Sequence, residues 1–361
     1  MRKSLVVFVL IAMLAASLAA CAPQVPAAEP AAAEQPAGEQ PAEAAPAEEQ
    51  PAAEQPAAEA LNPVKVVFLL TQPLSPFEED IWKFINQAKD DGIVSEAKLV
   101  EMKSPTEYEQ TVRQVSEQGY DMVISTFFYV HDAINNVAPD FPETKYVLIY
   151  EPNDKEIPNI HGILYDIQEG SYVCGVVAAK MTKTNRVGWF GGDNFPGIVK
   201  FLAGYEAGLK SVNPDIQIDA TFAGTFIDPD KGHEITLSLI EKGDDIVMHA
   251  ANKTGLGLFS AAKEKGIYAI GVDIDQSPEA PESVICSALT SPGLSVYKDL
   301  KDAATGKWQG GITSNWGVDD GAPSVALTDL VPEDVKAAAA EAEKDIADGK
   351  VVPPQTTDLA K

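Results

Sequence analysis

From Val64 onward the chain alternates short, almost wholly apolar runs with longer stretches whose apolar residues recur every three or four positions. Runs of the first kind suit strands of a parallel sheet covered on both faces, and stretches of the second kind suit the helices that cover it. The pattern predicts strands at 65–70, 97–102, 122–126 and 145–150, with helices over 77–89 and 106–117. A second series follows, with strands at 186–191, 216–222, 245–250 and 268–272 and helices at 198–211, 231–242 and 255–265. Two such series make two doubly wound α/β lobes. A strand at 284–288 and a helix at 293–304 then return the chain toward the first lobe, 312–318 is extended, and 332–346 is a helix. The expected division is a first lobe of 63–167 plus about 288–310, and a second lobe of 168–287 plus about 311–352.

The head of the chain follows another pattern. Arg2 and Lys3 precede an apolar segment, 4–17, too short to span a bilayer comfortably, and Leu18-Ala19-Ala20-Cys21 closes it. Small residues before the cut mark a secretory signal, and a Cys at the first mature position supplies the thiol that a bacterial lipoprotein needs. The expectation is a signal peptide over 1–20 and a lipid on Cys21 that holds the protein to the extracytoplasmic face of the membrane, where two acyl chains anchor stably. Residues 21–62 are rich in Pro, Ala and Glu with no aromatic residue, and read as an extended tether with too little apolar surface to fold.

The net charge of −27, with no Lys/Arg cluster, argues against nucleic acid as a partner. Of the three cysteines, Cys174 and Cys286 lie in apolar stretches and read as two buried thiols in preference to a disulfide. The four histidines, at 131, 161, 233 and 249, show no zinc spacing, and neither a nucleophile elbow nor a Walker loop occurs. No cofactor or metal is expected. Gly255-Leu256-Gly257 reads equally as a helix N-terminus offering N–H groups to a ligand or as a tight strand-to-helix turn. In open α/β sheets ligands sit beyond the carboxyl ends of strands, and the residues there are rich in Phe, Asn and carboxylates.

Four segments carry a family resemblance: EGSYVCGVVAAKMTKTNRVGWFGG (169–192), FLAGYEAGLKSVNP (201–214), TGLGLFSAAKEKGIYAIGVDIDQ (254–276) and WGVDDGA (316–322). They resemble the basic membrane protein family of bacterial lipoproteins, substrate-binding components of ABC importers of the purine nucleoside receptor A type. The resemblance implies a type I periplasmic-binding fold with two lobes closing on a ligand. It further implies that two Phe sandwich a purine, that an Asn beside the first reads the base, and that carboxylate and Lys groups hold the ribose. Phe77 and Phe201 match the two Phe, with ordinary core packing as the competing reading. Glu78 stands where the family has Asn, and Thr290 where it has Lys. Asp273, in Gly271–Gln276, matches the ribose carboxylate. Asn252 and Lys253 fall in AANKTG, where Lys253 is a substitute cation, and Phe127 and Phe128 replace a Gly-rich turn, one of the two neighbours being expected to face the core.

Glu78 is read either as a first-turn charge favoured by the helix dipole or as a base reader. As an ionised acceptor it pairs with N1–H and N2–H of guanine and repels the N1 acceptor of adenine. The expected protein is a monomeric receptor that does no chemistry and delivers a purine nucleoside or nucleobase, guanosine or inosine type favoured, to an ABC permease. The alternatives are a surface-anchored nucleoside-processing enzyme or a ligand sensor on the same fold.

Overall fold

The computed structural model describes residues 60–320 and 324–361. The expected signal peptide, lipidation of Cys21 and nearly all of the tether lie outside the described residues. The first series runs β1 (Val64–Leu70), α1 (Pro76–Asp90), β2 (Val94–Glu101), α2 (Tyr108–Glu117), β3 (Met122–Thr126), α3 (His131–Val137), β4 (Lys145–Ile149) and β5 (Ile160–Tyr165). The second runs α4 (Ile167–Met181), β6 (Arg186–Gly191), α5 (Pro196–Val212), β7 (Gln217–Phe222), α6 (Pro229–Lys242), β8 (Ile246–Ala250), α7 (Asn252–Lys265), β9 (Tyr268–Asp273) and β10 (Val284–Leu289). The chain ends with α8 (Pro292–Ala304), β11 (Ile312–Trp316), β12 (Val325–Leu327) and α9 (Glu333–Ala347).

Two six-stranded sheets result, ordered β11-β5-β4-β3-β1-β2 and β12-β10-β9-β8-β6-β7. Every pairing is parallel except β10 with β12. The central strands β3 and β8 are buried at every position, as sheets covered by helices on both faces require. Among the described residues the chain crosses between lobes three times, at 165–167, at 289–292 and after β11, which lies in the first sheet while β12 lies in the second.

One boundary differs from the sequence expectation. Residues 312–316 pair with β5 in the first sheet, Ile312 opposite His161 and Trp316 opposite Tyr165, so the last crossover comes after β11 and not before it. Its sequence, Ile-Thr-Ser-Asn-Trp, is that of a partly exposed edge strand, and nothing local in such a strand specifies which sheet it joins. Side chains fix it there: His161 Nε2 meets Ser314 Oγ at 2.8 Å, while His161 Nδ1 meets Asp299 of α8 at 2.7 Å. With His161 and Asp299 buried and Ser314 partly so, these contacts tie β5, β11 and α8 into one lobe. Near the crossovers, Tyr165 and Ser295 share a hydroxyl hydrogen bond of 2.8 Å, and Glu169 accepts from the Val318 N–H at 2.9 Å.

Candidate functional site

Residues just past the carboxyl ends of strands from both sheets line one cavity of about 360 Å³. The first lobe contributes Phe77, Phe127, Phe128, Tyr129, Tyr150 and Tyr165, and the second contributes Phe195, Phe201 and Phe226. The first-lobe rings form a connected wall: Phe77 lies 5.3 Å from Phe127 and 5.5 Å from Tyr150 between centroids, and Tyr150 lies 4.8 Å from Tyr165. Phe127 faces this cluster while Phe128 is 54% exposed at the mouth, its ring tilted against Tyr129 at 4.2 Å, so both neighbours reach the cavity by different routes.

The backbone is unusual where it meets the cavity. Phe127 (φ 60°), Tyr150 (φ 67°), Asn252 (φ 46°) and Asp273 (φ 69°) all line it in the left-handed region that favours glycine. Such conformations cost about 1–3 kcal/mol each and persist where the surroundings over-determine them, often at ligand sites. Phe127 and Tyr150 each follow the last residue of a strand and still extend the ladder, donating to Ile149 O and Ile163 O at 2.8 Å. Each strand is thereby turned sharply so that its next side chain swings over the cavity.

Asp273 is the polar centre. Its Oδ1 accepts from Tyr150 Oη at 2.6 Å, across the lobes, and from Thr290 Oγ1 at 3.2 Å. Burial pushes its carboxyl up to about 6, opposed by the hydrogen bonds from Tyr150 and Thr290. Burial also pushes the Tyr150 phenol well up, helped by the Asp273 charge. Behind it, His249 accepts from the Ala251 N–H through Nδ1 at 3.3 Å, so the proton sits on Nε2 and is donated to Gln276 Oε1 at 3.0 Å. Burial pulls the His249 pKa down to about 4 and keeps the imidazole neutral.

Of the residues singled out from the sequence, Phe77, Phe127, Phe128, Phe201, Asn252 and Asp273 line the cavity. Three do not. Glu78 is 1% exposed and spent within its own loop: Oε2 accepts from the Ser75 N–H at 3.0 Å and from the Ser75 hydroxyl, and Oε1 accepts from Gln72 Nε2 at 3.3 Å. It is the third residue of α1 and closes the capping box begun by Ser75, which the motif Ser-x-x-Glu encodes. Direct reading of a base by Glu78 is therefore ruled out by geometry. Lys253 is no ligand cation either; Nζ donates to Pro73 O at 3.1 Å, from the second lobe to the first. Thr290 stands behind Asp273 and supports it.

Sequence reasoning missed Gln72, Tyr150, Lys200, His249 and Gln276 on the cavity wall. Gln276 closes the Gly271–Gln276 motif and Gln72 lies in the loop between β1 and α1, but nothing local distinguishes a wall residue from its neighbours. Gly255 and Gly257 do not sit at a helix terminus, since α7 already begins at Asn252. A Cβ on Gly255 would lie 2.0 Å from the His249 ring and one on Gly257 2.0 Å from Pro229 O, so both serve close packing. Cys174 and Cys286 are buried and free.

Two parallel-sheet lobes, three crossovers and an aromatic cavity between the strand ends define a solute-binding protein of the type I periplasmic class. A crystal structure of an ABC transporter solute-binding protein from Aeropyrum pernix K1 superposes with a TM-score of 0.71 at 24% identity, covering 82% of this chain and 95% of that one. The chain belongs to the Bmp family, described as ABC transporter substrate-binding protein PnrA-like, which it matches over residues 65–356. It is 33% identical over 269 residues to the ABC transporter nucleoside-binding protein BmpA of Lactococcus lactis subsp. cremoris (strain MG1363), covering 70% of this chain and 76% of that one. It is likewise 32% identical over 230 residues to basic membrane protein A of Borreliella burgdorferi (strain ATCC 35210 / DSM 4680 / CIP 102532 / B31), covering 62% and 67%. It is therefore an ABC transporter substrate-binding protein, a class that works on the extracytoplasmic side.

Proposed function

We propose that the protein is a monomeric, lipid-anchored receptor that captures a purine nucleoside between its lobes and delivers it unaltered to an ABC permease. The supporting observation is the pairing, in one cavity, of Phe77 from the first lobe and Phe201 from the second with the carboxylate of Asp273. Two rings on opposite walls suit a flat heterocycle, and stacking on an aromatic side chain contributes about 1–3 kcal/mol per base. Tyr150 and Thr290 occupy Asp273 Oδ1, while Oδ2 has no hydrogen-bond partner among the described residues and suits a ribose hydroxyl. The cavity volume of about 360 Å³ falls in the range of small-ligand sites. A nucleoside-binding relative adds weight to the same ligand class. Cys21 carries the lipid in this reading, and 21–62 tethers the receptor near its permease, raising their effective concentration.

Calorimetric titration with guanosine, inosine, adenosine and the free bases tests the ligand class. Phe77→Ala and Phe201→Ala are each expected to weaken nucleoside binding by roughly tenfold or more, the equivalent of about 1.4 kcal/mol. Nucleoside incubated with stoichiometric protein is expected to be recovered intact. Absence of nucleoside binding, or release of free base, would overturn the reading.

A further inference from the structure

Glu78 is withdrawn from the cavity, yet it dictates how a residue on the wall presents itself. Gln72 lines the cavity and its Nε2 donates to Glu78 Oε1 at 3.3 Å. The other Glu78 oxygen is held by the Ser75 N–H and hydroxyl, so this carboxylate cannot swing away without undoing the cap of α1. An ionised carboxylate only accepts hydrogen bonds, and a glutamine amide has one donating end and one accepting end. The NH2 end must therefore face Glu78, because turning the amide over would set two acceptor oxygens against each other. Gln72 Oε1 has no partner among the described residues, and a half-buried carbonyl without one gains most from a donor on the ligand.

We propose that Gln72 is the base-reading residue of this site, offering an acceptor oxygen, and that Glu78 is the positioning residue that fixes that polarity. Resting on the nucleoside reading above, this assigns the ligand as a 6-oxopurine nucleoside, inosine or guanosine. Their ring N1–H meets the Gln72 carbonyl as a donor, whereas adenine brings an N1 lone pair to the same place. Adenine meets the carbonyl with a donor only through its 6-amino group, which requires sliding the ring within the slot while Asp273 holds the sugar. The selectivity belongs to the pair: Gln72 alone, free to turn over, accommodates either base.

The test is the inosine-to-adenosine affinity ratio, measured by titration of the full-length protein. Wild type is expected to favour inosine by about tenfold or more, as a mismatched polar contact in a confined site commands. Gln72→Ala, which leaves the Ser75–Glu78 cap intact, is expected to bring the ratio close to one. Glu78→Gln replaces the obligate acceptor by a group able to donate, lets the Gln72 amide turn over, and is expected to lower the ratio with nucleoside binding retained. A melting curve checks that Glu78→Gln folds; where it does not, Gln72→Ala decides. Equal wild-type affinity for inosine and adenosine, or a ratio that survives Gln72→Ala, overturns the proposal while leaving the receptor reading intact. Binding of no nucleoside at all overturns both.

Discussion

Asp273 concentrates the site's chemistry in one titrating group. Its carboxyl, lifted to about 6 by burial, is ionised at neutral pH and protonated in mild acid. Only the ionised form accepts freely from a sugar hydroxyl, so nucleoside affinity is expected to drop roughly tenfold between neutral pH and about pH 5. Asp273→Asn should bind weakly at neutral pH and lose this dependence; a flat wild-type profile would exclude Asp273 from the ligand. The same raised pKa acts on stability with the opposite sense. The folded chain holds this proton more firmly than the unfolded one, so the contribution of Asp273 to folding is largest in acid and is lost as pH rises through about 6. At this scale the site was half legible. Phe77, Phe201 and Asp273 were marked by the family resemblance and Phe127 and Phe128 by their place after a strand, whereas Glu78 and Lys253 sit at equally marked places and point elsewhere, and the other aromatic wall residues were not singled out. Sequence position places a Cα at a strand end; whether the side chain then meets a ligand, a cap or the other lobe depends on what surrounds it.

The helix pair α4 and α5 shows what the family-like motifs build. Gly175 on α4 and Gly204 and Gly208 on α5 let the two backbones approach so closely that a Cβ on Gly208 would lie 2.0 Å from Tyr172 O and one on Gly204 2.2 Å from Gln168 O. Backbone carbonyls give little, so Gly208→Ala is expected to destabilise the fold by about 1–3 kcal/mol, read as a lower urea midpoint with an unchanged slope. A neutral result would mean that the seam can open. This packing also explains why α4 did not register in the hydrophobic pattern. It is buried on nearly every side and carries small residues, so it lacks the one-sided stripe that marks a surface helix. β5 escaped for a related reason: Ile-His-Gly-Ile-Leu-Tyr is interrupted by a buried His and by a Gly set against the Glu151–Asn153 backbone. Amphipathic α1, α2 and α6, and the apolar strands β1, β3, β6 and β8, were legible because their period and composition are local properties.

At the scale of the whole molecule, two hydrogen bonds among the described residues span the cleft: Tyr150 to Asp273 at 2.6 Å and Lys253 to Pro73 O at 3.1 Å. A receptor of this kind works by shifting between open and closed lobes, and contacts made only on closure set that equilibrium. Lys253 does not itself line the cavity, so Lys253→Ala removes a contact across the cleft without removing a wall side chain. One hydrogen bond contributes about 0.5–1.5 kcal/mol net, so nucleoside affinity should fall between about twofold and tenfold, chiefly through faster dissociation. Unchanged dissociation would remove Lys253 from the closing mechanism. The alternation of apolar runs with amphipathic stretches determined two doubly wound lobes, and with them the strand ends where ligands gather, because burial on both faces of a sheet leaves a periodic record in the chain. The Ser-x-x-Glu motif already carried the turn of Glu78 away from the cavity, whereas the tertiary structure alone decided that β11 completes the first sheet and that Lys253 reaches across the cleft. Each of these depends on a partner distant in sequence or on the direction a side chain takes, and hydrophobic periodicity records neither.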